Sequence, residues 1–197
     1  MHYAKPLLAA MMLAAAALPT AHAQQEGPVF AVTYIEVTPS STETAIRLLR
    51  DQARASSAEA GNLRYQILQR IGRPNHFAII DAWESQPARD RSIATEHTRS
   101  FRGGLEPLLY SPYDERPSTP IMDTAARGGE GEVYAVTHVD IIPTALEEGT
   151  ALLDTLVRAS RKEAGAVDFG VIAQNNRRNH MTLFEVWASA EQQSAHA

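Results

Sequence analysis

The stretch PNHFAIIDAWES at residues 74–85 is almost repeated as RNHMTLFEVWAS at residues 178–189. Trp83 and Trp187 are 104 positions apart, and the two stretches align at that offset without a gap. Residues of each stretch alternate between two faces up to the tryptophan, as in a strand with one buried face. The repetition therefore predicts the same strand twice in one chain.

The same offset extends upstream and aligns residues 30–93 with residues 134–197, giving about 18 identities in 64 positions. Each copy starts with an alternating segment that ends at a proline, FAVTYIEVTP in the first copy and YAVTHVDIIP in the second. A period of 104 residues is too long for a solenoid repeat and is the size of a small domain. We interpret the chain as a tandem duplication of one domain.

The composition is that of an ordinary globular protein, with 44% hydrophobic and 21% charged residues. The net charge is −5, and the chain has no run of Lys or Arg. A nucleic-acid-binding protein usually has a basic surface, so nucleic acid is excluded as a partner. The chain has no cysteine, and it has no H-x-H, H-x-x-x-H, H-E-x-x-H, G-x-G-x-x-G or G-x-S-x-G motif. These patterns favour neither a metal site nor a nucleotide cofactor nor a serine hydrolase.

The N-terminus has the features of a secretory signal peptide at residues 1–23. Lys5 is followed by an apolar stretch over residues 7–18, and Ala21-His22-Ala23 fits an A-x-A cleavage site. The apolar stretch is shorter than the roughly 20 residues that cross a bilayer. The sequence predicts cleavage after Ala23, a periplasmic or secreted protein, and no stable membrane span.

Each repeat has the pattern βαββαβ. In the first repeat it predicts a strand over residues 30–39, a helix, a hairpin of strands 63–70 and 76–83, a helix over 87–105 and a strand over 108–117. This order is that of a ferredoxin-like α+β domain, whose helices cover one face of the sheet. The other faces of two such sheets are predicted to pack together or to curl into a barrel.

Caps and stops mark the first helix of each repeat. Residues 40–43 (SSTE) and 144–147 (TALE) fit a capping box at the helix start. Gly61 and Gly165 follow at the helix ends, where a left-handed stop conformation favours glycine.

The predicted domain division is 24–117 for repeat 1, 118–132 for a linker rich in Pro, Gly and charge, and 133–197 for repeat 2. Counterparts of His97, Phe101 and residues 105–109 would lie beyond Ala197, so repeat 2 is predicted to be C-terminally truncated. The sequence leaves open whether the protein forms a homo-oligomer.

The repeated strand places a carboxylate and an indole on one face. Asp81 and Trp83 share that face in repeat 1, as do Glu185 and Trp187 in repeat 2. Two interpretations stay open: a core tryptophan at the wet margin of the sheet, or a small-molecule pocket between the sheet and the second helix. In a pocket, His97 would be the titratable member, whereas His76 and His180 are predicted to be solvated turn residues.

These residues resemble the antibiotic biosynthesis monooxygenase superfamily, including its quinol monooxygenases. The resemblance spans roughly residues 29–117 and 133–197 and implies a dimeric α/β barrel built from the two repeats. Its hallmark is a Gly-x-x-x-Tyr entry to the second strand, a third strand ending in Trp-Glu, and a helix with His-x-x-x-Phe. Here these residues are Gly61 and Tyr65, Trp83 and Glu84, and His97 and Phe101.

The resemblance implies a cofactor-free oxidation, in which a phenol or hydroquinone is deprotonated and its anion passes an electron to O2. His97 would be the base or an orienting donor, Asn62 and Tyr65 would hydrogen-bond the phenolate, and Trp83 would form a wall for the ring. The expected substrate-binding set is completed by Asp81, Phe101, Tyr34 and Trp187. The implied partners are a small aromatic substrate and O2.

Departures from the family pattern keep two alternatives open. Many members have a histidine nine residues after the tryptophan, where repeat 1 has Ser92 and repeat 2 has His196. Repeat 2 replaces Asn62 by Ala166 and Tyr65 by Phe169, so repeat 1 is the better candidate for activity. The alternatives are a non-catalytic secreted module that binds a small molecule or dimerises, and a haem-degrading enzyme.

Overall fold

The computed structural model describes residues 27–122, 129 and 131–197, so the predicted signal peptide lies outside the described residues. Repeat 1 contains β1 (Val29–Glu36), α1 (Thr42–Ser57), β2 (Asn62–Gln69), β3 (His76–Trp83), α2 (Gln86–Ile93), α3 (Glu96–Leu105) and β4 (Asp114–Met122). Repeat 2 contains β5 (Val133–Asp140), α4 (Leu146–Ser160), β6 (Ala166–Gln174), β7 (Arg177–Trp187) and α5 (Ala190–His196).

The strands of both repeats form one sheet of seven strands in the order β2-β3-β1-β4-β6-β7-β5. Every neighbouring pair is antiparallel, and β4 joins the repeats because it pairs with β1 on one side and with β6 on the other. The sheet curls, and the predicted α+β fold of two ferredoxin-like repeats in a barrel-like arrangement is confirmed.

Among the described residues, three large apolar clusters hold this arrangement together, and a small fourth one surrounds Trp83. One lies between the repeat 1 sheet and helices α1 and α3, and a second lies between the repeat 2 sheet and α4. The third lies between the inner faces of the two half-sheets, which pack against each other as predicted. It contains Phe30, Val32, Ile80, Ala82, Ile172 and Phe184.

The first helix of each repeat starts and ends differently from the prediction. The two helices end at Ser57 and Ser160, before the glycines, which lie in the turn that follows. Gly61 and Gly165 have φ angles of +82° and +85°, in the left-handed region that favours glycine. The predicted capping boxes are wrong, because the N-cap residues Ser41 and Ala145 make no side-chain cap hydrogen bond. A proline in each copy instead begins a short 3₁₀ turn that leads into the helix.

The predicted single helix over residues 87–105 is wrong, because this segment forms two helices, α2 and α3, with an interruption at residues 94 and 95. Thr95 accepts a hydrogen bond from the backbone N–H of Thr98 and donates one to the carbonyl of Ser92. Threonine in this position caps a new helix. The break separates α2, which lies against β3, from α3, which packs on α1.

Strand β4 lies further along the chain than predicted. It covers residues 114–122 instead of 108–117, and a 3₁₀ turn occupies residues 106–108. Five residues of the predicted linker thus belong to the strand. Its two prolines, Pro117 and Pro120, are typical of a linker in the sequence, but pairing with both β1 and β6 keeps the segment extended.

We expect Phe184→Ala to lower the free energy of unfolding by about 3–5 kcal/mol, because it empties part of the core shared by both repeats. Ile71→Ala, at a side chain that is 81% exposed, is the control and should change stability by less than about 0.5 kcal/mol. Urea unfolding followed by circular dichroism measures both. Two separate transitions, or a small effect of Phe184→Ala, would contradict a shared core.

Candidate functional site

A small cavity of about 30 Å³ lies in repeat 1 between the sheet and helices α2 and α3. Its volume is close to that needed for one water molecule. Aromatic side chains form part of the wall, and charged side chains from β3, α2, α3 and β4 form another part. The aromatic and charged residues are Tyr65, Trp83, Phe101 and Tyr113, and Asp81, Arg89, Arg102 and Glu115.

Asp81 and Trp83 lie side by side on the face of β3 that the sequence predicted. The indole Nε1 of Trp83 donates to Oδ1 of Asp81 over 2.8 Å, and both side chains are buried. Burial raises the pKa of the Asp81 carboxyl, although the Arg89 charge and the Trp83 hydrogen bond oppose the shift. Asp81 therefore has a greater affinity for a proton than an exposed aspartate.

Two arginines and two carboxylates alternate along one side of the cavity. Nε of Arg89 lies 3.2 Å from Oδ1 of Asp81, and its Nη2 contacts Oε1 of Glu115. Nη2 of Arg102 lies 2.7 Å from the other oxygen of Glu115. The network has no net charge when all four groups are ionised, which makes its burial tolerable.

The network holds Glu115 in its ionised form. Burial alone would raise the pKa of Glu115, but hydrogen bonds and charges from Arg102 and Arg89 outweigh it and lower the pKa below the ordinary range. The arginines favour the ionised form of both carboxyls, but they outweigh the effect of burial on the pKa only at Glu115. Glu115 is kept ionised, whereas Asp81 remains easier to protonate.

Two tyrosine hydroxyls complete the polar wall. Burial raises the pKa of Tyr113 to about 12, despite the lowering effect of Arg102. Burial and then the Asp81 charge raise the pKa of Tyr65 as well. Both phenols therefore keep their protons at neutral pH and can donate hydrogen bonds into the cavity.

His97 is not among the described residues that line the cavity. Its Nε2 lies 3.0 Å from Oε1 of Glu59, and its Nδ1 lies 3.1 Å from Oε1 of Gln52. Gln52 does line the cavity and donates to Thr98, another lining residue. His97 thus reaches the cavity through the amide of Gln52, with its ring one-third exposed at the outer side.

Asn62 also lies outside the lining residues, at the start of β2 opposite Trp83. Its Nδ2 donates to the carbonyl of Arg64 over 3.3 Å. Its Oδ1 is buried and has no hydrogen-bond partner among the described residues. An unsatisfied buried acceptor costs free energy, so this oxygen is a ready partner for an incoming donor.

Two of the expected substrate-binding residues lie elsewhere. Tyr34 is on the opposite face of the sheet, where its ring meets His138 edge-to-face at 4.8 Å. The neighbouring Thr33 points to the cavity instead, because successive side chains of a strand alternate. Trp187 lies in the core of repeat 2 and is not among the residues that line the repeat 1 cavity.

Repeat 2 has its own histidine beside its tryptophan. The rings of His196 and Trp187 lie 4.7 Å apart, and Nδ1 of His196 lies 2.9 Å from Oε2 of Glu163. Glu163 is the repeat counterpart of Glu59, at the offset of 104 residues. The same carboxylate therefore meets a histidine in both repeats, although the two histidines come from different positions.

His76 and His180 differ from the predicted solvated turn residues. Each lies in a strand and pairs with an acid of the neighbouring strand. His76 Nε2 is 3.2 Å from Glu36, and His180 Nδ1 is 2.9 Å from Asp140. They are cross-strand pairs at the hairpin end of each repeat.

The comparison with known families agrees with this fold. The family described as antibiotic biosynthesis monooxygenase (ABM) matches residues 28–103 and 132–197, which are the two repeats. This chain belongs to the ABM family. The match in repeat 1 covers the residues that line the cavity except Tyr113 and Glu115.

Individual relatives support the family and the doubled fold. The ABM chain is 28% identical over 81 residues to "Putative monooxygenase YcnE" of Bacillus subtilis, covering 41% of this chain and 85% of that protein. A solved structure from Fusobacterium nucleatum, described as a "putative monooxygenase", superposes with a TM-score of 0.78 at 14% identity, covering 87% of this chain and 81% of the other. One from Lactobacillus acidophilus gives 0.73 at 18% identity, with the same coverage. At these identities the two structures show the fold alone.

Several residues that line the repeat 1 cavity were not predicted from the sequence. Arg89 and Gln52 are polar residues on helices, where a sequence pattern places them equally well in solvent. The identity of Glu59 and Glu163 across the repeats was a signal for the histidine partner. In the part of the chain that the structure describes, no group of three or more His, Cys, Asp or Glu residues is placed to hold a metal ion, and no helix is long and apolar enough to span a bilayer.

The depressed pKa of Glu115 gives a pH-dependent prediction. A lowered folded-state pKa contributes stability above the unfolded pKa, near 4.5, and the contribution is lost as the pH falls through the folded value. Glu115→Gln should therefore be less stable than the wild type at pH 7, and the difference should narrow on acidification to about pH 3. Urea unfolding at several pH values measures the difference, with the exposed Glu43→Gln as control. A difference that is constant or widens in acid would contradict the ionised network.

Proposed function

We propose that this ABM protein is a monooxygenase that oxidises a small phenolic or hydroquinone substrate with O2 and without a bound cofactor. The observation that carries the proposal is the repeat 1 cavity, where a buried carboxyl of raised pKa lies among an indole, two phenols and an arginine. A base of raised pKa among aromatic side chains suits the removal of a phenolic proton. The family membership supports the reaction class, and the substrate class rests on the cavity and the resemblance.

Asp81 is the group proposed to accept the proton. It lines the cavity. Its raised pKa is closer to the pKa of an activated phenol than the pKa of an ordinary aspartate is. The hydroxyls of Tyr65 and Tyr113 and the guanidinium of Arg89 are the donors proposed to stabilise the phenolate. His97 and Asn62 support this set from outside the wall, His97 by orienting Gln52 and Asn62 by accepting a hydrogen bond.

The proposed reaction balances without an external reductant. After deprotonation, the substrate anion passes an electron to O2, and the resulting pair recombines at a ring carbon over which the charge of the anion is delocalised. For a substrate with a ring methylene, such as an anthrone, one oxygen atom becomes the new carbonyl. The other oxygen leaves as water with the two methylene hydrogens.

Substrate entry requires the cavity to open. Ligand pockets have volumes of roughly 300–1,000 Å³, whereas this cavity measures about 30 Å³. Helices α2 and α3 cover it and are joined by the short segment at Ala94 and Thr95, which can act as a hinge. We propose that movement of α2 against α3 admits the ring.

Repeat 2 is proposed to be the non-catalytic half. It has Phe169 where repeat 1 has Tyr65, and Gln193 where repeat 1 has Arg89. These replacements remove a hydroxyl donor and the cation that balances the cavity carboxylates.

Export is part of the proposal and rests on the predicted signal peptide alone.

Asp81→Asn should reduce oxygen uptake with hydroquinones and anthrones by about 10²-fold or more, because an amide cannot accept the proton. The matched control is Glu185→Gln, which makes the same change at the repeat counterpart and should keep wild-type turnover. In the wild type, kcat/KM should rise with pH through a pKa above that of an ordinary aspartate. Loss of activity in the Glu185 variant alone would move the site to repeat 2.

The double variant His97→Ala, Asn62→Ala should lower turnover with little loss of folding stability, because both side chains act on the cavity from outside. Oxygen uptake by the metal-free protein, corrected for autoxidation, measures the effect. Full turnover by the double variant would remove both residues from the mechanism. No uptake by the wild type with any substrate would favour the binding module, and a Soret shift on titration with haem would favour the haem-degrading alternative.

A further inference from the structure

The core between the two half-sheets brings counterpart residues of the two repeats together. Ile80 and Phe184, which are 104 positions apart, belong to the same apolar cluster. Leu68 packs against that cluster, which also contains its own counterpart, Ile172. In a symmetric dimer, residues that meet their own copies lie close to the twofold axis. The two repeats therefore face each other as the two subunits of such a dimer would.

One pair of counterparts on this face is charged, and its two members differ in sign. Arg64 of β2 and Asp168 of β6 are 104 positions apart. Nη1 of Arg64 lies 4.0 Å from Oδ2 of Asp168, and only 5% and 6% of the two side chains are exposed. The Arg64 guanidinium also lies 5.9 Å from the ring centroid of Phe184. Arg64 thus contacts repeat 2 at two points.

The energetics of this ion pair favour discrimination over stability. Nε and Nη2 of Arg64 donate to Oε1 of Gln66 over 3.1 Å and 2.9 Å, so the guanidinium is held from its own repeat while Nη1 faces Asp168. Taking two charges out of water costs about as much as their attraction returns, so a buried ion pair adds little net stability compared with apolar side chains. A buried charge that meets no opposite charge is strongly destabilising.

The apolar positions of this core make no such distinction. Positions 68, 80, 172 and 184 are apolar in both repeats, so the inner face of one repeat 1 would fit a second repeat 1 as well as it fits repeat 2. In such a like pairing between two copies of the chain, Arg64 would meet Arg64 and Asp168 would meet Asp168. Each of these contacts would bury two like charges, which costs several kcal/mol.

We propose that Arg64 and Asp168 determine which repeats can pair. The inner face of repeat 1 accepts a repeat with a carboxylate at the position of Asp168 and rejects a second repeat 1. The two halves of the duplication thereby recognise each other as unlike partners. This inference is independent of the proposed reaction, because neither residue is among those that line the repeat 1 cavity.

Charge reversal in the full chain tests the contact. Arg64→Asp places two carboxylates there and Asp168→Arg places two guanidinium groups there, so each should raise the equilibrium constant of unfolding at least about 100-fold. The double variant Arg64→Asp, Asp168→Arg restores opposite charges and should recover at least half of the lost urea midpoint. The control is Arg158→Asp beside Asp154, where the side chains are 72% and 43% exposed, and it should change the unfolding constant less than about fivefold.

A mixture of the two single variants tests the choice of partner. Every contact at this position is Asp–Asp among copies of Arg64→Asp and Arg–Arg among copies of Asp168→Arg, whereas a contact between the two variants is Asp–Arg. Unfolding them together in urea and refolding them should therefore give a 1:1 mixed dimer, measured by size-exclusion chromatography with light scattering and by mass spectrometry. The wild type mixed with the double variant is the control and should give no mixed dimer, because each chain already contains opposite charges.

The double variant and the mixture decide the question even if a single variant does not fold alone, since both restore opposite charges at the contact. Recovery together with a mixed dimer supports the proposal. Recovery of less than half of the lost midpoint, or the absence of a mixed dimer from the two single variants, overturns it.

Discussion

Strand β4 pairs along both of its edges, with β1 of its own repeat and with β6 of the other. This pairing makes one curled sheet from two small ones and brings their inner faces together over a shared core. It also fixes the cavity, because Glu115 belongs to β4 and Tyr113 directly precedes it. The catalytic candidate of repeat 1 thus depends on the same strand that joins the repeats.

The buried charges of the cavity depend on one another in a similar way. Arg89 holds Asp81 and Glu115 together, and Arg102 contacts Glu115 from the other side while its guanidinium lies over the ring of Tyr113. Removing one member of such a network leaves its partner charged without compensation, which costs more than an exposed pair does.

Much of the fold followed from the sequence, because alternation and a constant offset are local or one-dimensional signals. They located β1, β2 and β3 and their counterparts, and the glycines at residues 61 and 165 marked the turns between the first helices and the strands that follow. The break at Thr95 and the position of β4 depend on tertiary packing. At Thr95, packing interrupts a segment that the sequence predicts as one helix. In β4, pairing with two strands keeps a segment extended although its prolines are typical of a linker. The site was predicted in part: Asp81, Trp83, Tyr65 and Phe101 meet in the cavity, whereas the direction of His97 is set by Gln52 and Glu59, which no spacing rule connects to it.

Glu59 and Glu163 show how a duplicated domain can keep one half of an interaction and replace the other. In repeat 1 the carboxylate meets a histidine from α3, and in repeat 2 it meets one from α5 at the position aligned with Ser92. Ser92 itself donates to Glu59. An alignment read column by column would match His196 with a serine and miss that His97 has the same acceptor. The two repeats are therefore equivalent in the glutamate that accepts, although the histidine that meets it comes from a different position in each repeat.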